Sequence, residues 1–299
     1  MKKVFLLPAE EDWIVDRFVK EWQIDNFDIT TQNPLDAEVV WLFASWRWKH
    51  LPFDFLRRKK VITTVHHIVP EKFSESSRRD FLARDEITTV YHVYNENTKA
   101  FIEKLTKKPI EVITYWANQN IWKKSFTKED LRKKYSLSCE DFLVGSFQRD
   151  TEGSDLITPK LEKGPDLLAD YLELIKVDRK NLRVVLAGWR RQYIIKRLEQ
   201  ADIPYVYFER PSQEIVNELY QMLDLYPITA RCEGGPQAII ECGLLNIPVV
   251  SRDIGIARQV LPATAISNKI DLAIPCVPNV EDWKLPKGYN QYRKLIERL

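Results

Sequence analysis

The first 144 residues of this chain contain no glycine, and all nine glycines lie at or after position 145. Close approach of bare backbone to a phosphate is therefore open only to the later part of the sequence, at Gly234-Gly235 or near Gly145. A Gly-x-Gly-x-x-Gly dinucleotide fingerprint is missing throughout, as is a P-loop, which disfavours NAD-dependent and ATP-hydrolysing chemistry. No apolar run approaches the ~20 residues of a membrane span. Cysteine is scarce: Cys139, Cys232, Cys242 and Cys276 are too scattered for a zinc site and include no Cys-x-x-Cys pair, so free thiols in a reducing cytoplasm are expected. Charge of one sign is missing too. With 45 Lys and Arg against 43 Asp and Glu, the net charge is +2, and no polycation is offered to nucleic acid. The apolar start Val4-Phe5-Leu6-Leu7 stops at Pro8, runs into Glu10, Glu11 and Asp12, and has no small-residue cleavage site; it reads as a first strand, not a signal peptide.

What is present is an ordinary soluble composition, 44% hydrophobic and 29% charged, over 299 residues, enough for two domains. Most of the nine tryptophans are expected in the core. Short runs rich in Val, Ile, Thr and Tyr alternate with segments of helical period, the pattern of parallel α/β sheets. In the first part these are Val4–Leu7, Phe27–Thr30, Val39–Phe43, Val61–Val65, Thr88–Val93 and Glu111–Thr114, with a helix over Glu96–Leu105 capped by Asn95. Strands Phe142–Ser146, Arg183–Ala187, Tyr205–Phe208, Leu225–Thr229 and Pro248–Ser251 follow, alternating with helices Asp166–Ile175, Tyr193–Glu199, Ser212–Leu223 and Pro236–Leu244. The expected fold is α/β, two Rossmann-like domains facing across a cleft. The first spans 1–121 and the second 122–288, with a closing helix at 289–299 able to pack back on the first.

The most informative stretch is Arg231-Cys-Glu-Gly-Gly-Pro-Gln-Ala-Ile-Ile-Glu241, which runs on to Pro248-Val-Val250. A strand ends near Thr229, a Gly-Gly loop follows, and Pro236 sits where a helix starts and its missing N–H is no loss. The amides at that helix N-terminus suit a diphosphate, and they open into the crevice beyond the strand ends. Glu233 stands before the helix and Glu241 on it. A carboxylate accepts two hydrogen bonds from a vicinal diol, so two carboxylates flanking an anion site suit a sugar on one side and a ribose on the other. The bland alternative is a capping Glu233 and a solvated Glu241.

Glu233 and Glu241 match the E-x7-E pattern, and with Arg231, Gly234, Pro236, Gly243 and Pro248-Val249-Val250 the segment resembles the GT4-like family of retaining glycosyltransferases with the GT-B fold. The resemblance implies that Glu233 faces the donor sugar, that Glu241 binds the nucleotide ribose, and that Gly234, Gly235, Pro236, Gln237 and Ala238 line the donor site. Upstream, Gly145-Ser-Phe-Gln-Arg149 and Lys163-Gly164 look like the family's Gly-x-x-x-Arg and Lys-Gly pair, whose cations hold the donor diphosphate. Fourteen positions separate Arg149 from Lys163, a departure from the usual spacing, and Lys160 is the alternative lysine. In the first part Val65-His66-His67 is similar to the family's Val-His-Asp segment, which implies a donor-sugar contact for His66. Tyr115–Trp122 resembles the interdomain segment and reads as linker.

The expectation is a metal-independent hexosyltransferase without cofactor. It moves a hexose from a nucleoside diphosphate sugar to a hydroxyl of a glycan or glycolipid acceptor with retention of configuration, and lobe closure excludes water. It requires the Glu233 and Glu241 side chains to be turned away from bulk solvent. A sugar-nucleotide epimerase of the same fold and a non-catalytic sugar-nucleotide-binding subunit are the alternatives; a phosphorylase lacks context for a pyridoxal-phosphate lysine. The aromatic and basic stretch 45–60, Ser45-Trp-Arg-Trp-Lys-His to Arg57-Arg-Lys-Lys60, reads as an amphipathic helix on the sheet with a basic solvent edge. Its other reading is weak peripheral contact with the inner membrane face by a cytoplasmic protein.

Overall fold

The computed structural model describes residues 2–11 and 14–299, so Met1, Asp12 and Trp13 lie outside the description. The chain divides into two compact units, Met1–Trp116 with Leu285–Leu299, and Ala117–Lys284.

In the first unit, β1 (Val4–Leu6) and α1 (Ile14–Asp25) are followed by β2 (Val39–Leu42), α2 (Phe53–Arg57), β3 (Lys60–Val65), α3 (Glu75–Asp85), β4 (Val90–Val93), α4 (Glu96–Ile102) and β5 (Ile110–Val112). The strands form one parallel sheet in the order β1-β2-β3-β4-β5. Its inner strands are buried along almost their whole length, because helices cover both faces of a parallel sheet and leave no side for polar residues. Asn95 caps α4 as its sequence predicts, accepting from the Thr98 amide at 2.8 Å. The strand expected at Phe27–Thr30 does not form. The Asn26 carbonyl accepts from the Ile29 amide and the Thr30 hydroxyl, so the chain turns, Phe27 stays 76% exposed, and a single bridge joins Thr30 to Val4. The 45–60 stretch is a 3₁₀ segment, Ser45–His50, plus the short α2, not one amphipathic helix; Pro52 separates the two. Trp48, Phe55 and Leu56 are buried with Leu7, Val40 and Val61, while Trp46 remains 47% exposed.

Aromatic rings dominate this core. Trp22 meets Trp41 edge-on at 5.3 Å, Trp41 stacks on Tyr292 at 5.3 Å, and Trp116 donates its indole N–H to Glu21 at 2.7 Å. The C-terminal helix, Asn290–Arg298, belongs to the same unit. Its Tyr292 hydroxyl donates to the Thr114 carbonyl at 2.9 Å, and Arg293 pairs with Asp28 at 2.6 Å.

The second unit contains α5 (Lys128–Lys134), β6 (Phe142–Ser146), α6 (Pro165–Lys176), β7 (Leu182–Gly188), α7 (Gln192–Gln200), β8 (Tyr205–Glu209), α8 (Gln213–Gln221), β9 (Tyr226–Ile228), α9 (Gln237–Leu245), β10 (Val249–Ser251) and α10 (Ala257–Val260). The ladders β6-β7-β8 and β10-β9 are parallel, and a parallel bridge between Val144 and Leu225 joins them into the order β8-β7-β6-β9-β10. That is a Rossmann order, with the chain reversing direction across the sheet between β6 and β9. Its core is mostly aliphatic, from Val144, Leu168 and Leu172 to Val184, Leu186 and Ile194. Among the described residues no helix is long and apolar enough to cross a membrane.

Candidate functional site

In a doubly wound sheet, ligands bind outside the carboxyl ends of the strands where the strand order reverses. In the second unit that point is the pair β6 and β9, so the loops after Ser146 and after Ile228 define the site.

The loop after β9 carries Arg231 to Pro236. Arg231 grips the turn before α6: its guanidinium binds Asp166 in bidentate fashion at 2.7 and 2.5 Å, and its amide and that of Cys232 both donate to the Glu162 carbonyl, at 2.8 and 3.1 Å. The fit is tight because Gly164 has φ +63°, and a Cβ there would lie 2.0 Å from the Thr229 carbonyl oxygen. Only glycine meets both demands. The consequence is that Lys163 and Glu233, 70 positions apart in sequence, form an ion pair. Their side chains are 21% and 14% exposed. Gln148, from the loop after β6, holds the Lys163 carbonyl at 2.8 Å. Lys160, the alternative lysine, pairs with Glu162 at 3.4 Å.

Helix α9 starts at Gln237, not at Pro236. Pro236 is the capping residue, with extended φ −61° and ψ 115°, and its carbonyl accepts from the Ile239 amide at 3.1 Å. Proline has no N–H to donate, and its extended ψ keeps it outside the helix. Gly234 and Gly235 are buried; Gln237 and Ala238 are half-buried. Gln237 Nε2 is a buried donor with no hydrogen-bond partner among the described residues, a group suited to a ligand acceptor. Gly255, which sequence reasoning passed over, supports this loop: at φ +56° a Cβ would come within 2.8 Å of Pro236 Cδ and 3.1 Å of the Gly234 carbonyl oxygen.

Glu241 is 7% exposed, and its Oε2 accepts from the Tyr220 hydroxyl at 2.8 Å. Burial and the adjacent carboxylate together push the Tyr220 phenol well above its usual range, so it acts only as a donor. Tyr220 in turn packs on Phe147, the first residue after β6, at 4.6 Å and on Tyr226, the first residue of β9, at 5.4 Å. Neither glutamate is turned to bulk solvent.

Arg149 stands in the loop after β6, its guanidinium 5.2 Å from the centre of the Trp189 ring. Its neighbour Asp150 is buried and pairs with the fully buried Arg191 at 2.5 Å. Arg191 also binds the carbonyls of Ser146 and Ala187, tying together the ends of β6 and β7. Burial raises the Asp150 carboxyl, against the pull of Arg191. A lone Asp and a lone Arg in loops carry no sequence signal of burial, so this brace was not legible.

His66 ends β3 in the first unit. Its Nε2 lies 2.9 Å from the Phe43 carbonyl oxygen, which can only accept, so the ring proton sits on Nε2. Burial lowers its pKa to about 4, leaving a neutral imidazole near pH 7. The ring contacts Phe43, Trp46 and Tyr94 at 5.5 to 5.7 Å and borders a cavity of about 510 Å³ that also touches Ser77, Asp80 and Arg84. Among the described residues no group of three or more His, Cys, Asp or Glu could hold a metal ion.

Residues 159–269 match the family described as glycosyl transferases group 1, a span that includes Lys163, Glu233 and Glu241. No curated protein matches the chain. Among solved structures it is similar to HepE of Anabaena in complex with UDP and glucose, with TM-score 0.70 and 14% identity over 91% of this chain and 88% of that one. WaaG, a glycosyltransferase involved in lipopolysaccharide biosynthesis, gives TM-score 0.61 and 14% identity over 86% and 82%. Sucrose-phosphate synthase from Thermosynechococcus elongatus gives TM-score 0.59 and 13% identity over 84% and 64%. The fold is that shared by these proteins, GT-B.

Proposed function

The chain being a glycosyltransferase with the GT-B fold, we propose that it transfers a hexose from a nucleoside diphosphate sugar to an acceptor hydroxyl, with retention of configuration and without a divalent metal. The observation that carries this reading is the Lys163–Glu233 ion pair at the start of α9. An ammonium and the first amides of a helix suit the donor diphosphate, and the carboxylate beside them suits hydroxyls of the sugar. The donor class agrees with the UDP and glucose, and the UDP-glucose, held by HepE crystals.

In the reaction the bond from the sugar C1 to the diphosphate oxygen breaks, and C1 bonds to the acceptor oxygen. The acceptor's proton goes to the departing diphosphate. Lys163 and Arg149 oppose the charge that develops on the leaving group, a role worth most where water is excluded. Glu241, held by Tyr220, takes the ribose hydroxyls. The resemblance assigns His66 to the donor sugar; its neutral imidazole suits hydrogen bonding and not acid catalysis.

A thermal-shift panel of UDP-, GDP-, ADP- and dTDP-sugars identifies the donor, since binding only the native state raises the midpoint by mass action. With that donor, Lys163→Ala is expected to lower turnover about 10²- to 10³-fold, the effect of removing one transition-state charge partner. Glu241→Ala is expected mainly to weaken donor binding. Unchanged donor affinity and turnover in Glu241→Ala would overturn the assignment. Proton NMR of the product's anomeric centre tests retention, and assay in EDTA tests metal independence. Donor conversion that does not depend on any acceptor would replace transfer with epimerisation or hydrolysis.

A further inference from the structure

The edges of the two sheets are finished differently. In the first unit the outer side of β1 is taken up by the turn before β2: the Val4 amide donates to the Ile29 carbonyl at 2.8 Å, and the Val4 carbonyl accepts from the Thr31 amide at 3.0 Å. At the other edge β5 is three residues long, and Glu111 is tied to Arg298 of the C-terminal helix at 3.0 Å. In the second unit Val249 of β10 exchanges two hydrogen bonds with Cys276, at 2.8 and 3.1 Å, and the Ser251 carbonyl accepts from the Ser267 amide at 2.9 Å. The opposite edge of that sheet is β8, Tyr205-Val-Tyr-Phe-Glu209. Its register with β7 and the alternation of a parallel ladder turn the N–H and C=O groups of Val206 and Phe208 toward β7, and those of Tyr205, Tyr207 and Glu209 outward. Among the described residues none of these outward amides and carbonyls has a hydrogen-bond partner.

A bare strand edge is a template for another strand, and proteins blunt it with short length, with charge, or with proline inside the strand. The first four positions of β8 use none of these devices; Tyr, Val, Tyr and Phe all favour strand pairing. Pro204 and Pro211 stand outside the strand and bound the run that can pair. The edge is also held in shape. The Tyr205 hydroxyl donates to Glu199 at 3.0 Å, the Tyr207 hydroxyl donates to the Gly188 carbonyl at 3.0 Å, and Phe208 meets Tyr135 edge-on at 5.3 Å. Pairing at this edge therefore orders little that is not already fixed.

We propose that β8 is the seam of a twofold dimer: it pairs antiparallel with β8 of a second copy about Tyr207 and joins the sheets of the two second units into one. The strand is self-complementary in that register. Tyr205 faces Glu209 at each end of the seam and Tyr207 faces its own copy, so every outward amide and carbonyl gains a partner. Val206 stands opposite Phe208 twice, a β-branched and aromatic pair of the kind that stabilises sheets. Any other register that matches outward groups to outward groups pairs at most three of the five residues. A second copy thus fits this edge by its own sequence. β7 and β6 lie between the seam and the loop after β9, and the proposal does not rest on the transferase reading.

Sedimentation velocity of the purified full chain over a dilution series tests this directly. A species of twice the 35.3 kDa chain mass is expected, dissociating on dilution. Val206→Lys sets a charge against Phe208 of the second copy and is expected to raise the dissociation constant at least about 10-fold, with folding checked by circular dichroism. Should that variant fail to fold, Glu209→Pro serves instead. The Glu209 amide points away from β7, so proline there removes only the hydrogen bonds given to the second copy, and the same weakening of about 10-fold is expected. The register is tested by oxidising a mixture of Val206→Cys and Phe208→Cys chains, each also carrying Cys139→Ser to remove the exposed thiol. Disulfides are expected between unlike chains and not between like ones. A parent protein that stays monomeric overturns the proposal and leaves the edge to an extended segment of another protein. So does a dimer that persists unweakened in the folded edge variants, or a disulfide that joins two Val206→Cys chains to each other.

Discussion

The two units hold similar parallel sheets with opposite means. The first has an aromatic core, all four histidines of the chain, and no glycine before its C-terminal segment, where Gly288 stands alone. The second has an aliphatic core and the remaining eight glycines, two of which, Gly164 and Gly255, place backbone against the loop that bears Glu233. Large rings fill space and fix a unit through packing. Glycines give up side-chain packing so that loops can approach one another and a charged ligand. The comparison predicts that stability is the sensitive quantity in the first unit and geometry at the site in the second.

The largest expected effect tests the first half of that statement. Trp22 is fully buried and meets Trp41, Trp116, Tyr289 and Tyr292. Trp22→Ala removes a ring at the centre of this cluster and is expected to destabilise the protein by about 3–5 kcal/mol. Urea unfolding followed by near-ultraviolet circular dichroism, which reports mainly the aromatic unit, measures it. A midpoint that hardly moves means the aromatic cluster does not hold the unit together.

Next comes the second unit. Gly164→Ala sets a left-handed residue against the Thr229 carbonyl and is expected to destabilise by about 2–3 kcal/mol. It also shifts Lys163 away from Glu233, so turnover is expected to fall further than in any folded core variant of equal stability. If Gly164→Ala retains full turnover, the turn before α6 does not set the position of Lys163.

How much of this was legible beforehand differs between elements. Strands buried on both faces show as runs of Val, Ile and Tyr, and nearly all were placed within a residue or two. Phe27–Thr30 misled because Phe, Ile and Thr suit a strand, whereas the turn depends on the Asn26 carbonyl, which no propensity reveals. Lys163 and Glu233 could be singled out from their local patterns. That Arg231, Asp166 and Gly164 bring them together could not, since such contacts join positions 65 to 70 residues apart. For Arg149 the resemblance implies contact with the donor diphosphate, while its ring contact with Trp189 depends on a neighbouring strand's loop and has no local signal.

The smallest expected effect uses acid to separate the units. His92 is fully buried, with Nδ1 3.0 Å from the Thr64 hydroxyl and Nε2 2.9 Å from the Ile113 carbonyl oxygen, and burial lowers its pKa to about 3. With His66 at about 4, both groups bind protons more weakly in the folded than in the unfolded chain. Stability from this source is therefore complete above about pH 6.5, the unfolded value, and is lost as the pH falls toward the folded values. Between pH 7 and 5 the loss is about 2 kcal/mol for His92, and less for His66, which keeps some contact with solvent. The second unit has no histidine. Asp155, held to about 2 by hydrogen bonds from Thr158, and Asp166, held down by Arg231, lose their contribution only at lower pH. Acidification to pH 5 is thus expected to lower the aromatic unit's urea midpoint selectively, and His92→Gln to flatten that dependence. An equal fall in His92→Gln would show that the acid sensitivity of the first unit comes from other groups.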